Sequence, residues 1–159
     1  MNYADLFRVT LPETALEIAA LILLVVDLGF LRRASLKVRV ASAAMLGVLG
    51  CGAAMLTLPL QANGGLSAPN GDLLLSTGGY STVAQVGILL LTVLTLFLFI
   101  ESDFTRHPGE YVAVMLMAAA GGLLISSAQD LLVIFVGLEL LSLGLYILAA
   151  FAKRSGKSA

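Results

Sequence analysis

The chain has 159 residues, 59% of them hydrophobic and only 12% charged, with a formal net charge of −1 and a mean hydropathy of +1.01. Soluble domains carry about 25% charged residues, so a water-soluble fold is excluded. Near-neutral charge without a basic stripe lacks the phosphate-neutralising term that nucleic-acid binding needs, and nucleic acid is not an expected partner.

In chain order, the start carries Asp5, Arg8, Glu13 and Glu17 and so does not read as a cleavable signal peptide; the first apolar run, Ala15 to Leu31, is a retained helix. Thr10 followed three residues later by Glu13 predicts a capping box, with Pro12 in the first turn. Glu17 faces either outer water or a neighbouring helix. Asp27, close to the helix end, reads as an interfacial acid within reach of Arg32 or Arg33. Val40 to Leu60 is the second run, with Ala43, Gly47 and Cys51 as small packing residues; the lone cysteine forms no internal disulfide. Residues 61–80 collect Asn63, Gly64, Gly65, Pro69, Asn70, Gly71, Gly78 and Gly79, which predicts an aqueous loop with a hairpin at Asn70-Gly71.

Thr82 to Ile100 is the third run. The loop after it holds Glu101, Asp103, His107 and Glu110, all read as solvated, and one His without a second ligand makes no metal site. Tyr111 to Ser126 is the fourth run, with small residues from Ala118 to Gly122, and Leu131 to Phe151 is the fifth. The link between these two is so short that their helices must be antiparallel neighbours. Asp130, with Ser126 and Ser127 before it, sits where an acid favours a helix start.

Each run approaches the roughly 20 residues that span a hydrocarbon core of about 30 Å. The expected fold is therefore all-α: one integral membrane domain over 1–159, with helices near 11–31, 40–60, 82–100, 111–126 and 130–151. Arg32, Arg33, Lys37, Arg39, Arg106, Lys153, Arg154 and Lys157 fall on one side and only Arg8 on the other. The positive-inside bias then puts the N-terminus outside and the C-terminus in the cytoplasm.

Glu139 is the one acid deep inside the fifth run. A charged side chain at that depth costs about 2.5–3.5 kcal/mol on insertion scales, so such residues normally face protein and carry function. Steps of three and four place Phe135, Glu139, Ser142 and Tyr146 on one stripe, beside a face flattened by Gly137 and Gly144. No Lys or Arg falls within the five expected spans, so a counter-ion must come from outside the chain. Phosphate loops, paired cysteines, Ser-His-Asp sets and dinucleotide fingerprints are absent from the sequence, so no cofactor or metal is expected on this chain.

The segments Gly109-Glu110-Tyr111, Ser127-Ala128-Gln129-Asp130-Leu131-Leu132 and Gly137-Leu138-Glu139-Leu140-Leu141-Ser142-Leu143 with Tyr146, and the start Leu11-Pro12-Glu13 leading to Asp27, resemble subunit N of the proton-pumping NADH:quinone oxidoreductases (respiratory complex I), members of the Mrp-antiporter-like family. Leu138 favours N over the related L and M subunits. The resemblance runs through the whole chain, is most specific from Gly109 to Phe151, and is weakest across residues 61–80.

The resemblance implies a subunit of about fourteen helices, of which this chain matches the first third: a truncated product, a fragment, or one piece of a split subunit. It implies that Glu139 matches a fifth-helix glutamate that pairs with a seventh-helix lysine in a proton path; Ser142 and Tyr146, on its stripe, and Asp130, at the start of its helix, are the expected supporting residues. It also implies a multi-pass protein of the bacterial inner membrane, surrounded by lipid and by the other membrane subunits of complex I. NADH, flavin, iron-sulfur clusters and quinone would be handled by those other subunits. Two alternatives remain at this point, a fragment of an Mrp-type cation/proton antiporter and a non-pumping scaffold whose small-residue faces bind neighbouring subunits.

Overall fold

The computed structural model describes residues 7–32, 34–61, 66–67, 73–101 and 107–152. Five long helices are present among them: α1 Leu11–Gly29, α2 Leu36–Gln61, α3 Gly79–Ile100, α4 Pro108–Ser127 and α5 Leu131–Ala152. Between α2 and α3 lie two short strands, β1 Leu66–Ser67 and β2 Leu73–Leu75, paired antiparallel. Asn70-Gly71, where the sequence predicts the hairpin turn, lies outside the described residues. β1 and β2 flank that position.

Four of the five expected spans, α2 to α5, are long and apolar enough to cross a membrane. α1 falls outside that description because it carries Glu13, Glu17 and Asp27 within 19 residues, yet at about 28 Å it matches the others in reach. It packs against both α2 and α4.

Helix ends depart from the apolar runs in an instructive way. α2 begins at Leu36, four residues before Val40, so Lys37 and Arg39 are helical rather than loop residues. The Arg39 N–H donates to Ser35 O at 3.1 Å, which makes Ser35 the missed start signal. Likewise α4 begins at Pro108, with the missing proline donor harmless in the first turn, and takes Glu110 onto the helix. The expected capping box at α1 does not form. Thr10 occupies the cap position without a side-chain cap hydrogen bond, and Glu13 is turned into the bundle, only 3% exposed.

α4 is the central element, packed against each of the other four helices. The core between α1, α2, α3 and α4 is built from Leu16, Leu23, Leu89, Leu96, Leu116 and Leu123, all essentially inaccessible. Close approach depends on small residues. A Cβ on Gly50 would lie 2.5 Å from the Ala19 Cβ, and one on Gly121 would lie 2.8 Å from the Leu141 backbone nitrogen. Phe99 stacks on Tyr111 at 5.0 Å between ring centroids, and Phe151 meets Tyr111 edge-on at 5.8 Å, tying α3, α4 and α5 together at one end.

At the opposite end, β2 and Ser76 pair with the α4–α5 turn. Leu75 bridges to Ala128, Ser76 N–H donates to Ser127 O at 2.8 Å, and Gln129 N–H donates to Leu74 O at 2.9 Å. Leu74, Leu75 and Ser76, within the expected aqueous loop, are therefore joined to the bundle. Leu75 is buried against Val9, and the strand edge satisfies backbone groups of the α4–α5 turn. This hairpin end lies opposite the Phe99–Tyr111–Phe151 cluster.

Candidate functional site

α5 starts where Asp130 places it: the carboxylate Oδ1 accepts the Leu132 N–H at 2.6 Å, and Ile134 N–H donates to Asp130 O at 3.0 Å. Glu139 follows Leu131 by eight residues, about 12 Å along the axis. α5 has α4 as its principal neighbour, so most of its circumference is open.

The face it turns to α4 is set by glycines. A Cβ on Gly137 would meet Ile125 Cγ1 at 2.7 Å and Gly121 O at 3.1 Å, and one on Gly144 would meet the Ala118 Cβ at 2.7 Å. The flat face read from the sequence is thus used inside this chain. That removes Gly137 and Gly144 as surfaces for neighbouring subunits, the role the scaffold alternative gave them.

With that face committed, the stripe bearing the acid points away. Phe135 is 61% and Tyr146 73% exposed, Glu139 is exposed, and Ser142 is intermediate. The five-helix unit therefore does not enclose Glu139, which has no hydrogen bond or ion pair among the described residues. Asp130 is near the hairpin end, about two and a half helical turns from Glu139, and caps the helix rather than touching the acid. An apolar cleft of about 630 Å³ between α3, α4 and α5, lined by Thr92, Tyr111, Met115, Gly122, Leu145 and others, does not include Glu139.

Asp27 behaves in the opposite way, and corrects its sequence reading. It is 2% exposed and its partner is Arg39 rather than Arg32. Arg39 Nε donates to Oδ1 at 2.8 Å and Nη2 to Oδ2 at 2.6 Å, a two-pronged pair that suits the guanidinium plane. Arg33 lies outside the described residues. Gly109 at the start of α4 closes over the pair, since a Cβ there would be 2.5 Å from Asp27 Oδ2. Glu110 adds a Coulombic attraction to Arg39, and its Oε1 is 3.3 Å from His107 Nδ1 at the surface. The resemblance segment Gly109-Glu110-Tyr111 thus has a structural account: glycine to admit Asp27, acid to face Arg39, ring to stack on Phe99.

Sequence reasoning missed Arg39 because charges next to an apolar run were read as loop. The signals available were Ser35 as a helix start and the ability of an arginine stem to lie along apolar surface while its head finds a partner. Among the described residues no group of three or more His, Cys, Asp or Glu is placed to hold a metal.

No family model matches the chain. Among curated proteins it is similar to "NADH-quinone oxidoreductase subunit N 2" of Acidobacterium capsulatum, 39% identical over 166 residues that take in 100% of this chain and 33% of the relative. It is 35% identical to "NAD(P)H-quinone oxidoreductase subunit 2" of Synechococcus elongatus over 94% of the chain and 28% of the relative. With "NADH-quinone oxidoreductase subunit N" of Gemmatimonas aurantiaca it shares 30% over 100% of the chain and 32% of the relative. The chain spans about a third of the length of these curated relatives.

Proposed function

Because the chain belongs with the subunit N proteins of the NADH-quinone oxidoreductases over its whole length, we propose that it works as part of a proton-translocating membrane subunit of such a complex, with Glu139 as the proton-transfer carboxylate. The observation that carries this reading is the placement of Glu139: an acid well inside an apolar helix, on a face that the described residues leave uncovered. Exposure of such a group to hydrocarbon is unfavourable, and a cation from a further helix of the subunit removes the penalty. The curated relatives are about three times as long as this chain, which leaves ample length for such a helix.

In this reading Glu139 gains or loses a proton as its cationic partner approaches or withdraws, Ser142 offers a hydroxyl one turn on, and the Tyr146 ring borders the same stripe. Asp130 fixes the start of the helix and hence the height of the acid. Electron transfer from NADH to quinone, with its flavin and iron-sulfur chemistry, is assigned to other subunits, and the setting is the inner membrane of a bacterial cell with the N-terminus outside.

The test replaces Glu139 by Gln, and separately by Asp, in the assembled complex and measures protons moved per NADH oxidised. A loss of pumping in Glu139→Gln with partial recovery in Glu139→Asp is expected. An unchanged proton-to-electron ratio in a fully assembled Glu139→Gln complex overturns the assignment.

A further inference from the structure

The two cations at the start of α2 serve different neighbours. Arg39 reaches back to Asp27 on α1. Lys37, two residues earlier, is about 200° round the helix and so lies on another face. There it lines a cavity of about 300 Å³ between α2 and α3, together with Leu36, Val40, Ala41, Ile100 and Glu101. α2 starts at Leu36, and α3 ends at Ile100 with Glu101 at its C-cap, so the start of one helix meets the end of the other at the side of the bundle away from the hairpin.

This cavity carries one cation and one anion that do not neutralise each other. Lys37 and Glu101 are both exposed, and neither makes an ion pair among the described residues. The backbone has the same polarity as the side chains. Free N–H groups of the first turn make the start of α2 partly positive, and free carbonyls make the end of α3 partly negative. The remaining lining, Leu36, Val40, Ala41 and Ile100, is apolar.

α2 and α3 are each long and apolar enough to cross a membrane, which puts their ends, and the cavity with them, at the level of the lipid headgroups. A molecule that fits there has an anion and a cation close together at the head of an apolar body. Phosphatidylethanolamine has this pattern. Phosphatidylglycerol offers the phosphate but no cation for Glu101, and the quaternary ammonium of phosphatidylcholine has no N–H to donate to a carboxylate.

We propose that this cavity is a binding site for a phosphatidylethanolamine headgroup, with Lys37 on the phosphate, the Glu101 carboxylate accepting from the primary ammonium, and the start of an acyl chain along Leu36, Val40 and Ile100. No residue of α5 lines it, so the site stands apart from Glu139 and does not rest on the proton-transfer reading. A single charge contact at an exposed surface contributes little. Selectivity therefore comes from the two charges acting together, and removing either one abolishes most of it.

The test is native mass spectrometry of the whole chain released from bilayers of equal parts phosphatidylethanolamine, phosphatidylcholine and phosphatidylglycerol with matched acyl chains. Retained phosphatidylethanolamine is expected several-fold above its share of the bilayer. Lys37→Met and, separately, Glu101→Gln are expected to bring it back close to that share with helix content unchanged, whereas Arg8→Gln, outside the cavity, leaves it enriched. Phosphatidylethanolamine retained at no more than its share overturns the proposal. Equal retention of phosphatidylcholine, preferential retention of phosphatidylglycerol, or an enrichment that survives both Lys37→Met and Glu101→Gln overturns it as well.

Discussion

Asp27 and Glu139 are both acids inside apolar helices, yet the fold treats them in opposite ways. Asp27 is sealed at the α1, α2 and α4 junction with two charge-assisted hydrogen bonds from Arg39 and a glycine pressed against it. Glu139 stands on the open side of α5 with neither bond nor cover among the described residues. The difference shows that depth in a helix does not by itself define a working acid. Asp27 is completed by Arg39 where three helices meet, whereas Glu139 finds no partner among the described residues, as the proposed function requires. A self-contained pair is suited to architecture; an incomplete one is suited to coupling.

The sharpest way to break this contrast is at Arg39. Arg39→Leu leaves Asp27 buried without its cation, and removing one partner of a buried pair costs about 3–5 kcal/mol. Denaturant titration of the chain in detergent should show that loss, and the double substitution Asp27→Leu with Arg39→Leu should recover much of it. Equal damage from single and double variants would mean that the pair is not acting as a unit.

A smaller effect is expected at the face that turns Glu139 outward. Gly144→Leu places side-chain atoms where Ala118 already sits, and overpacking of this kind costs about 1–3 kcal/mol. A melting curve unchanged by Gly144→Leu would contradict the close α4–α5 contact. The smallest effect belongs to Glu139 itself: Glu139→Gln in the isolated chain should alter stability by no more than about 0.5 kcal/mol, as for a surface position. A loss comparable with that of Arg39→Leu would place a hidden partner within this chain.

Much of this was legible in the sequence, and the failures have a common cause. Apolar runs located all five helices, and the short Ser126 to Asp130 link put α4 and α5 side by side, because helix length and loop reach are local properties. The stripe of Phe135, Glu139, Ser142 and Tyr146 followed from periodicity alone. Which way that stripe faces did not, since it depends on the Gly121, Gly137 and Gly144 contacts that fix the rotation of α5. The Asp27 partner was misjudged for a similar reason. Arg32 is nearer along the chain, but α2 starts early enough to swing Arg39 back across the turn onto α1. Gln85 gave no pattern signal at all, being one polar residue in an apolar run whose burial only the packing reveals.

The contrast between the two acids is tested most directly by labelling with a lipid-soluble carbodiimide, read residue by residue by mass spectrometry, on the chain alone in bilayers and in the assembled complex. The account predicts that Glu139 is modified in the chain alone, becomes protected on assembly, and that Asp27 is protected in both. Equal labelling of Glu139 in the two preparations, or labelling of Asp27 ahead of Glu139, would contradict it.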